Sequence, residues 1–181
     1  MTCLVRPVLF LTFFLSVRPF GTHAQTTASD LDDYYRAVGE HFDVGRDEVR
    51  IISAWNLEPE DVSVVFFLAN GAGISADAVA AERSRGGSWS GLMRRFGIHV
   101  STIHISFQED SVLGGLTSLY ARMGRTPRSG WDRLDLTDGE VAALINIRMW
   151  SSALDVAPAA IVQAFEASGS FIAVQRFLVG R

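Results

Sequence analysis

The sequence predicts an all-α protein: a compact helical domain made of two related three-helix units preceded by two N-terminal helices. Three observations point there. Apolar residues recur at the i, i+3, i+4, i+7 spacing of an amphipathic helix, as at Val62, Val65, Phe66 and Ala69. The breaks between such stretches carry helix stop and start signals, glycine followed by serine, threonine or proline. The chain also matches itself. Leu57–Phe66 aligns with Leu136–Ile145. After a short insertion, Ala78-Val79, Gly87-Ser88-Trp89, Leu92 and Arg94 align with Ala160-Ile161, Gly169-Ser170-Phe171, Val174 and Arg176.

Taken in order, residues 1–24 read as a secretory signal peptide. Arg6 precedes the apolar run Val8–Val17, which is too short to span a bilayer, and Thr22-His23-Ala24 puts small residues where a signal peptidase needs them, before Gln25. The only cysteine, Cys3, leaves with this leader, so packing alone must hold residues 25–181, a single helical domain. Its N-terminal helices fall within 30–55, one carrying Leu31, Tyr34, Tyr35, Val38 and Phe42, the other Val49, Ile52 and Trp55. Unit one follows at 57–108, a connector at 109–133 and unit two at 134–181.

Each unit opens on a helix start. Pro59 suits a first helical turn, where its missing N–H costs nothing, and Thr137 with Glu140 has capping-box spacing. Second helices start near Ser75 and near Pro158 and stop at Gly86-Gly87 and Gly169. Ser88 and Ser170 cap third helices, whose buried faces hold Trp89, Leu92, Met93 and Phe96 in one unit and Phe171, Val174 and Leu178 in the other. Within the connector Val112–Met123 reads as helix, whereas Gly124–Gly130 reads as an exposed loop.

Charge is unevenly spread. All 16 basic residues are arginine against 20 acidic residues, and loss of Arg6 and Arg18 makes the remaining chain more acidic than the net charge of −4. That argues against a general binder of nucleic acid or anionic membranes. Acids dominate from Asp30 to Asp61 and arginines from Arg83 to Arg133. The connector arginines Arg122, Arg125, Arg128 and Arg133 are therefore the candidate partner-binding residues.

The sequence offers no catalytic, metal or cofactor site. Val62–Leu68 running into Gly71-Ala72-Gly73 has the outline of a dinucleotide-binding strand and turn, but Ala76 stands where its third glycine would fall, and the second unit has Met149-Trp150-Ser151-Ser152 with no glycine. A glycine helix stop is the better reading. His99 and His104 are spaced so that neither a helix nor a strand brings both to one metal. His41 could join them only through a long-range approach. Lysine is absent, and so are the His-Glu-x-x-His and Gly-x-Ser-x-Gly patterns.

Leu92–Ile103 resembles a helix-turn-helix over about twenty residues, 92–105 at its centre, with Gly97 at the turn and Ser101-Thr102-Ile103 opening a second helix. It departs from that pattern at Met93, where a small residue is usual, and the would-be recognition helix Ser101–Gln108 has no arginine for phosphates. It reads as a shape used for packing. As a whole the chain, with Gly87-Ser88-Trp89 at its turn, resembles uncharacterised exported bacterial proteins with small helical modules. That resemblance implies a cell-envelope location and carries over no functional residues.

The expectation is an exported, periplasmic or secreted, non-catalytic protein with no cofactor, binding a macromolecular partner of the cell envelope or itself. The alternatives are a DNA-binding regulator whose leader is a buried helix, and an envelope hydrolase with His41, His99 or His104 beside an acid.

Overall fold

The structure, a computed structural model, describes residues 26–108 and 111–179. The predicted signal peptide, Cys3 and the connector's Glu109-Asp110 lie outside the described residues. Every regular element among the described residues is helical, and no helix among them is long and apolar enough to cross a membrane. The protein is all-α.

Helix α1 (Ala28–Phe42) opens on a capping box, the Thr27 side chain taking the Asp30 N–H while Asp30 takes the Thr27 N–H. It buries Tyr34, Ala37 and Val38, and α2 (Arg46–Ser53) adds Val49 and Ile52. The third helix, α3 (Asp61–Ala72), is the centre of the fold. Val62, Val64, Val65, Phe66, Leu68 and Ala69 are all buried, so the helix is enclosed on every side rather than laid down on one face. Its start differs from expectation: Pro59 lies in a turn ahead of the helix, closed by the Asp61 N–H on the Glu58 carbonyl. The apolar run before Gly71-Ala72-Gly73 is helix and not strand, and Gly73, at φ 65°, supplies the left-handed stop that residues with a side chain rarely adopt.

Ser75 caps α4 (Ala76–Ser84) and Ser88 caps α5 (Trp89–Arg95), each by accepting a first-turn N–H. Trp89, Leu92 and Met93 are buried and Phe96 half-buried. After the Gly97 turn the helix-turn-helix resemblance fails. α6 (Val100–Ile103) is a single turn, and the recognition helix expected to reach Gln108 is extended from His104 onward. Three of its four residues are β-branched at Cβ and the other is serine, all weak helix formers. The Tyr120 hydroxyl then satisfies the extended backbone, accepting the Ile105 N–H at 3.3 Å and donating to the Ile105 carbonyl at 2.6 Å.

The connector is more ordered than its composition suggested. A 3₁₀ turn at Gly114–Leu116 leads into α7 (Thr117–Arg125), and the stretch read as an exposed loop includes a second 3₁₀ segment, Arg128–Arg133, with Gly130 and Trp131 buried. The second half then runs α8 (Asp138–Leu154), α9 (Pro158–Ser168), a 3₁₀ turn at Phe171–Ala173 and α10 (Val174–Val179). Thr137 and Glu140 form the capping box, Pro158 occupies the first turn of α9, and Gly169 ends it at φ 74°.

Helices α3 and α8 pack along each other at the core, with α1 across both. A buried polar knot joins the three. The Tyr34 hydroxyl donates to Asn146 Oδ1 at 2.7 Å, and Asn146 Nδ2 donates to the carbonyls of Glu60 and Ala142. Burial pushes the Tyr34 phenol far above its usual range, so it stays a neutral donor. The two halves also close each other's helix starts. Asp138, at the start of α8, takes the Trp89 N–H at 2.7 Å, and Glu60, just ahead of α3, takes the Phe171 N–H at 2.7 Å.

Candidate functional site

The candidate residues of the connector do not share one fate. On α7, Leu119 and Met123 face the core, which places Arg122 over the start of α8. Its Nη2 lies 3.0 Å and 2.8 Å from the two carboxylate oxygens of Glu140, itself buried. Arg122 is thus committed to an internal ion pair. Arg125, Arg128 and Arg133 are exposed, and none has an ion-pair partner among the described residues.

Trp131 makes this arginine surface rigid. Its indole N–H reaches the carbonyls of Thr126 at 3.0 Å and Met123 at 3.3 Å, tying the 3₁₀ segment to the end of α7. Arg128 lies over the ring, 5.3 Å from its centroid. A Cβ on Gly130 would lie 3.0 Å from the Thr126 methyl, so a side chain there would crowd Thr126, while the backbone angles of Gly130 make no demand for glycine.

Trp131 also packs at a tilt against His104, centroids 4.8 Å apart, and Tyr120 packs on the same imidazole. His104 opens into a groove of about 700 Å³ shared with His41, Arg148, Ser152 and Asp155. Arg148 is the exposed residue in the otherwise buried stretch Leu144–Trp150 of α8, and its guanidinium donates to the His104 carbonyl at 3.2 Å. Both histidines are held below the ordinary imidazole range. Burial is the main cause at each; Arg148 adds to it at His41, and Arg128 then Arg148 at His104. The groove and the arginine surface therefore adjoin, with Arg128 between them.

His99 lies elsewhere. Its Nδ1 is 2.6 Å from Asp132 Oδ2, and Asp132 Oδ1 accepts the Val100 N–H, closing the start of α6. The imidazole holds the Asp132 carboxyl below the usual carboxylate range. Ser90 lines the same recess, but it is buried and its Oγ accepts from Arg94. The pair thus has a structural task, and no hydroxyl donates to this imidazole among the described residues. No group of three or more metal-ligating side chains comes together among those residues either.

A second cavity, of about 510 Å³, lies between α8 and α9 beneath the Gly114–Leu116 turn, with mostly apolar walls and carboxylates at its edge. Sequence reasoning missed both recesses. Arg148 was the available signal for the groove, a cation inside the apolar run Leu144–Trp150; the placing of His41 and His104 on one groove had none, because it arises when α1 and α6 each pack against α8. No family model, curated protein or solved structure matches the chain.

Proposed function

We propose that this is an exported, non-catalytic protein of the cell envelope that binds an acidic macromolecular partner on the surface formed by Arg125, Arg128 and Arg133 and the adjoining His41–His104–Arg148 groove. One observation carries the reading: exposed Arg125, Arg128 and Arg133 flank or lie on a turn pinned by the buried Trp131, beside the groove, so the backbone that carries these cations is pre-placed and little of its ordering is lost on binding. Within the groove Arg148 is offset by Asp155 and both histidines are held toward the neutral form, so the cationic excess that an acidic partner meets comes from Arg125, Arg128 and Arg133. The leader sequence supports export.

The test replaces Arg125, Arg128 and Arg133 together with glutamate in the mature protein and compares crosslinked partners from envelope extracts. The expected result is loss of salt-sensitive partners with an unchanged helical spectrum; retention of the same partners removes this surface from the proposal. Sedimentation velocity on the same variant reports whether the partner is a second copy, whose exposed Asp47 and Glu48 would supply the acidic face. N-terminal sequencing of the exported protein should begin at Gln25, and a cytoplasmic protein retaining Met1 would count against export.

A further inference from the structure

The cavity between α8 and α9 belongs to neither the arginine surface nor the groove. It exists because α8 presents Gly139, Ala142 and Ala143 on one face, where larger side chains would fill the space. Its far wall is a stacked aromatic pair, Phe165 and Phe171, with centroids 4.3 Å apart and planes within 20°. At about 510 Å³ it falls within the roughly 300–1,000 Å³ usual for small-molecule sites.

The charges around it have one sign. Glu60, Glu140 and Glu166 line the cavity, and no arginine or histidine does. Glu140 is neutralised from outside by Arg122 and also takes the Thr137 N–H. The other two have capacity left. Glu60 Oε1 accepts from the Ser170 hydroxyl and the Phe171 N–H, while Oε2 has no hydrogen-bond partner among the described residues. Glu166 Oε1 accepts the Gly115 N–H at 3.3 Å and occupies the space that a Cβ on Gly114 would need, which sets this carboxylate against the turn over the cavity.

We infer that this cavity binds a small amphiphilic organic cation, with its apolar body against Phe165, Phe171 and Ile147 and its ammonium group beside Glu60 and Glu166. The apolar walls favour any hydrocarbon of suitable size; the carboxylates select the sign of its head group. The aromatic pair adds attraction for a cation that approaches its face. An anionic amphiphile of equal length gains the same burial but meets two carboxylates.

The test titrates the mature protein by calorimetry with decyltrimethylammonium and, separately, with decyl sulfate, both below their micelle concentrations. Saturable one-to-one binding of the cation is expected, with the anion weaker by at least about tenfold, since a like charge near a partly buried carboxylate is costly. Glu166→Arg, at an exposed position, should narrow or invert that preference. Ala143→Trp fills the cavity and should abolish binding while the helical spectrum is retained. Equal affinity for both amphiphiles, or a preference unmoved by Glu166→Arg, overturns the inference even if the tryptophan variant fails to fold. The Arg125, Arg128 and Arg133 charge reversal should leave cation binding unchanged, so this site and the partner surface can fail separately.

Discussion

Replacing Trp89 with phenylalanine isolates what its indole N–H contributes. Trp89 is fully buried; its Nε1 donates to Asp61 Oδ1 at 2.9 Å, and the Arg83 guanidinium lies over the ring at 4.5 Å. Arg83 also reaches Asp138 Oδ2 at 2.6 Å and Asp61 Oδ2 at 3.4 Å. Burial raises the Asp61 carboxyl above its ordinary range, and the Trp89 indole and Arg83 oppose that rise. Trp89→Phe keeps an aromatic body but strands one oxygen of a buried carboxylate. A lost hydrogen bond to a charged group costs about 1.5–3 kcal/mol, and the smaller ring adds about 1 kcal/mol of cavity. Trp89→Ala should cost about 3–5 kcal/mol, so phenylalanine recovers little of the loss.

The pH dependence identifies the cause. A carboxyl with a raised folded pKa binds protons better folded than unfolded, so its penalty is present once ionised and relieved as pH falls through the folded pKa. Losing the indole raises that pKa further. Urea unfolding followed by circular dichroism should therefore show a larger loss for Trp89→Phe at about pH 7 than at about pH 4. An equal loss at both pH values would refute the argument, as would a variant within about 0.5 kcal/mol of the parent, the range of an inert substitution.

Other perturbations have definite outcomes. Arg122→Ala leaves Glu140 buried without its cation and should cost about 1–3 kcal/mol in urea unfolding, the lower end reflecting the partial exposure of Arg122. Ser88→Ala should cost about 1 kcal/mol as an N-cap, and Ser170→Ala more, because Ser170 caps Ile172 and also donates to Glu60 at 2.7 Å; equal costs would contradict the second role. Because the folded pKa values of His41 and His104 are depressed, their contribution is intact above the unfolded imidazole value of about 6.5 and lost as pH falls through it. Melting temperature should drop between about pH 7.5 and 5.5, and a double histidine-to-glutamine variant should flatten that slope.

What could be read beforehand is what is decided locally. Ser75, Ser88, Thr137 and Ser170 cap the elements they precede, and Gly73 and Gly169 stop theirs, because those signals need only a few neighbouring residues. Burial of Trp89 and Phe171 followed from their place on a helical stripe. The misread segments are those in which a distant group overrides local preference. Gly124–Gly130 has the composition of a loop, yet the Trp131 indole bonds to the Thr126 carbonyl of that stretch and to the Met123 carbonyl just before it, and draws it inward. Val100–Ile103 looked like the start of a longer helix, until the hydroxyl of Tyr120 took both polar groups of Ile105 and made the extended path favourable. The Arg122–Glu140 pair could not be read from a charge count, which does not distinguish an arginine aimed inward from one aimed out.

The exchange of caps explains why the two halves should behave as one cooperative unit. The start of α5 leaves first-turn N–H groups that need acceptors, and the acid that takes the Trp89 N–H is Asp138, from beyond the connector. The turn beginning at Phe171 is closed in return by Glu60, and the same Glu60 supplies the carbonyl that accepts from Asn146. Each half thus takes from the other an acceptor for the start of one of its own elements. The apolar faces are divided in the same way, since α3 is enclosed only when α8 lies along it. Fragments 26–108 and 111–179 prepared separately should therefore each show little helix by circular dichroism and no cooperative melt, and mixing them should restore helical signal. Cooperative unfolding of either fragment alone would mean that the exchanged caps are dispensable and that each half carries its own core.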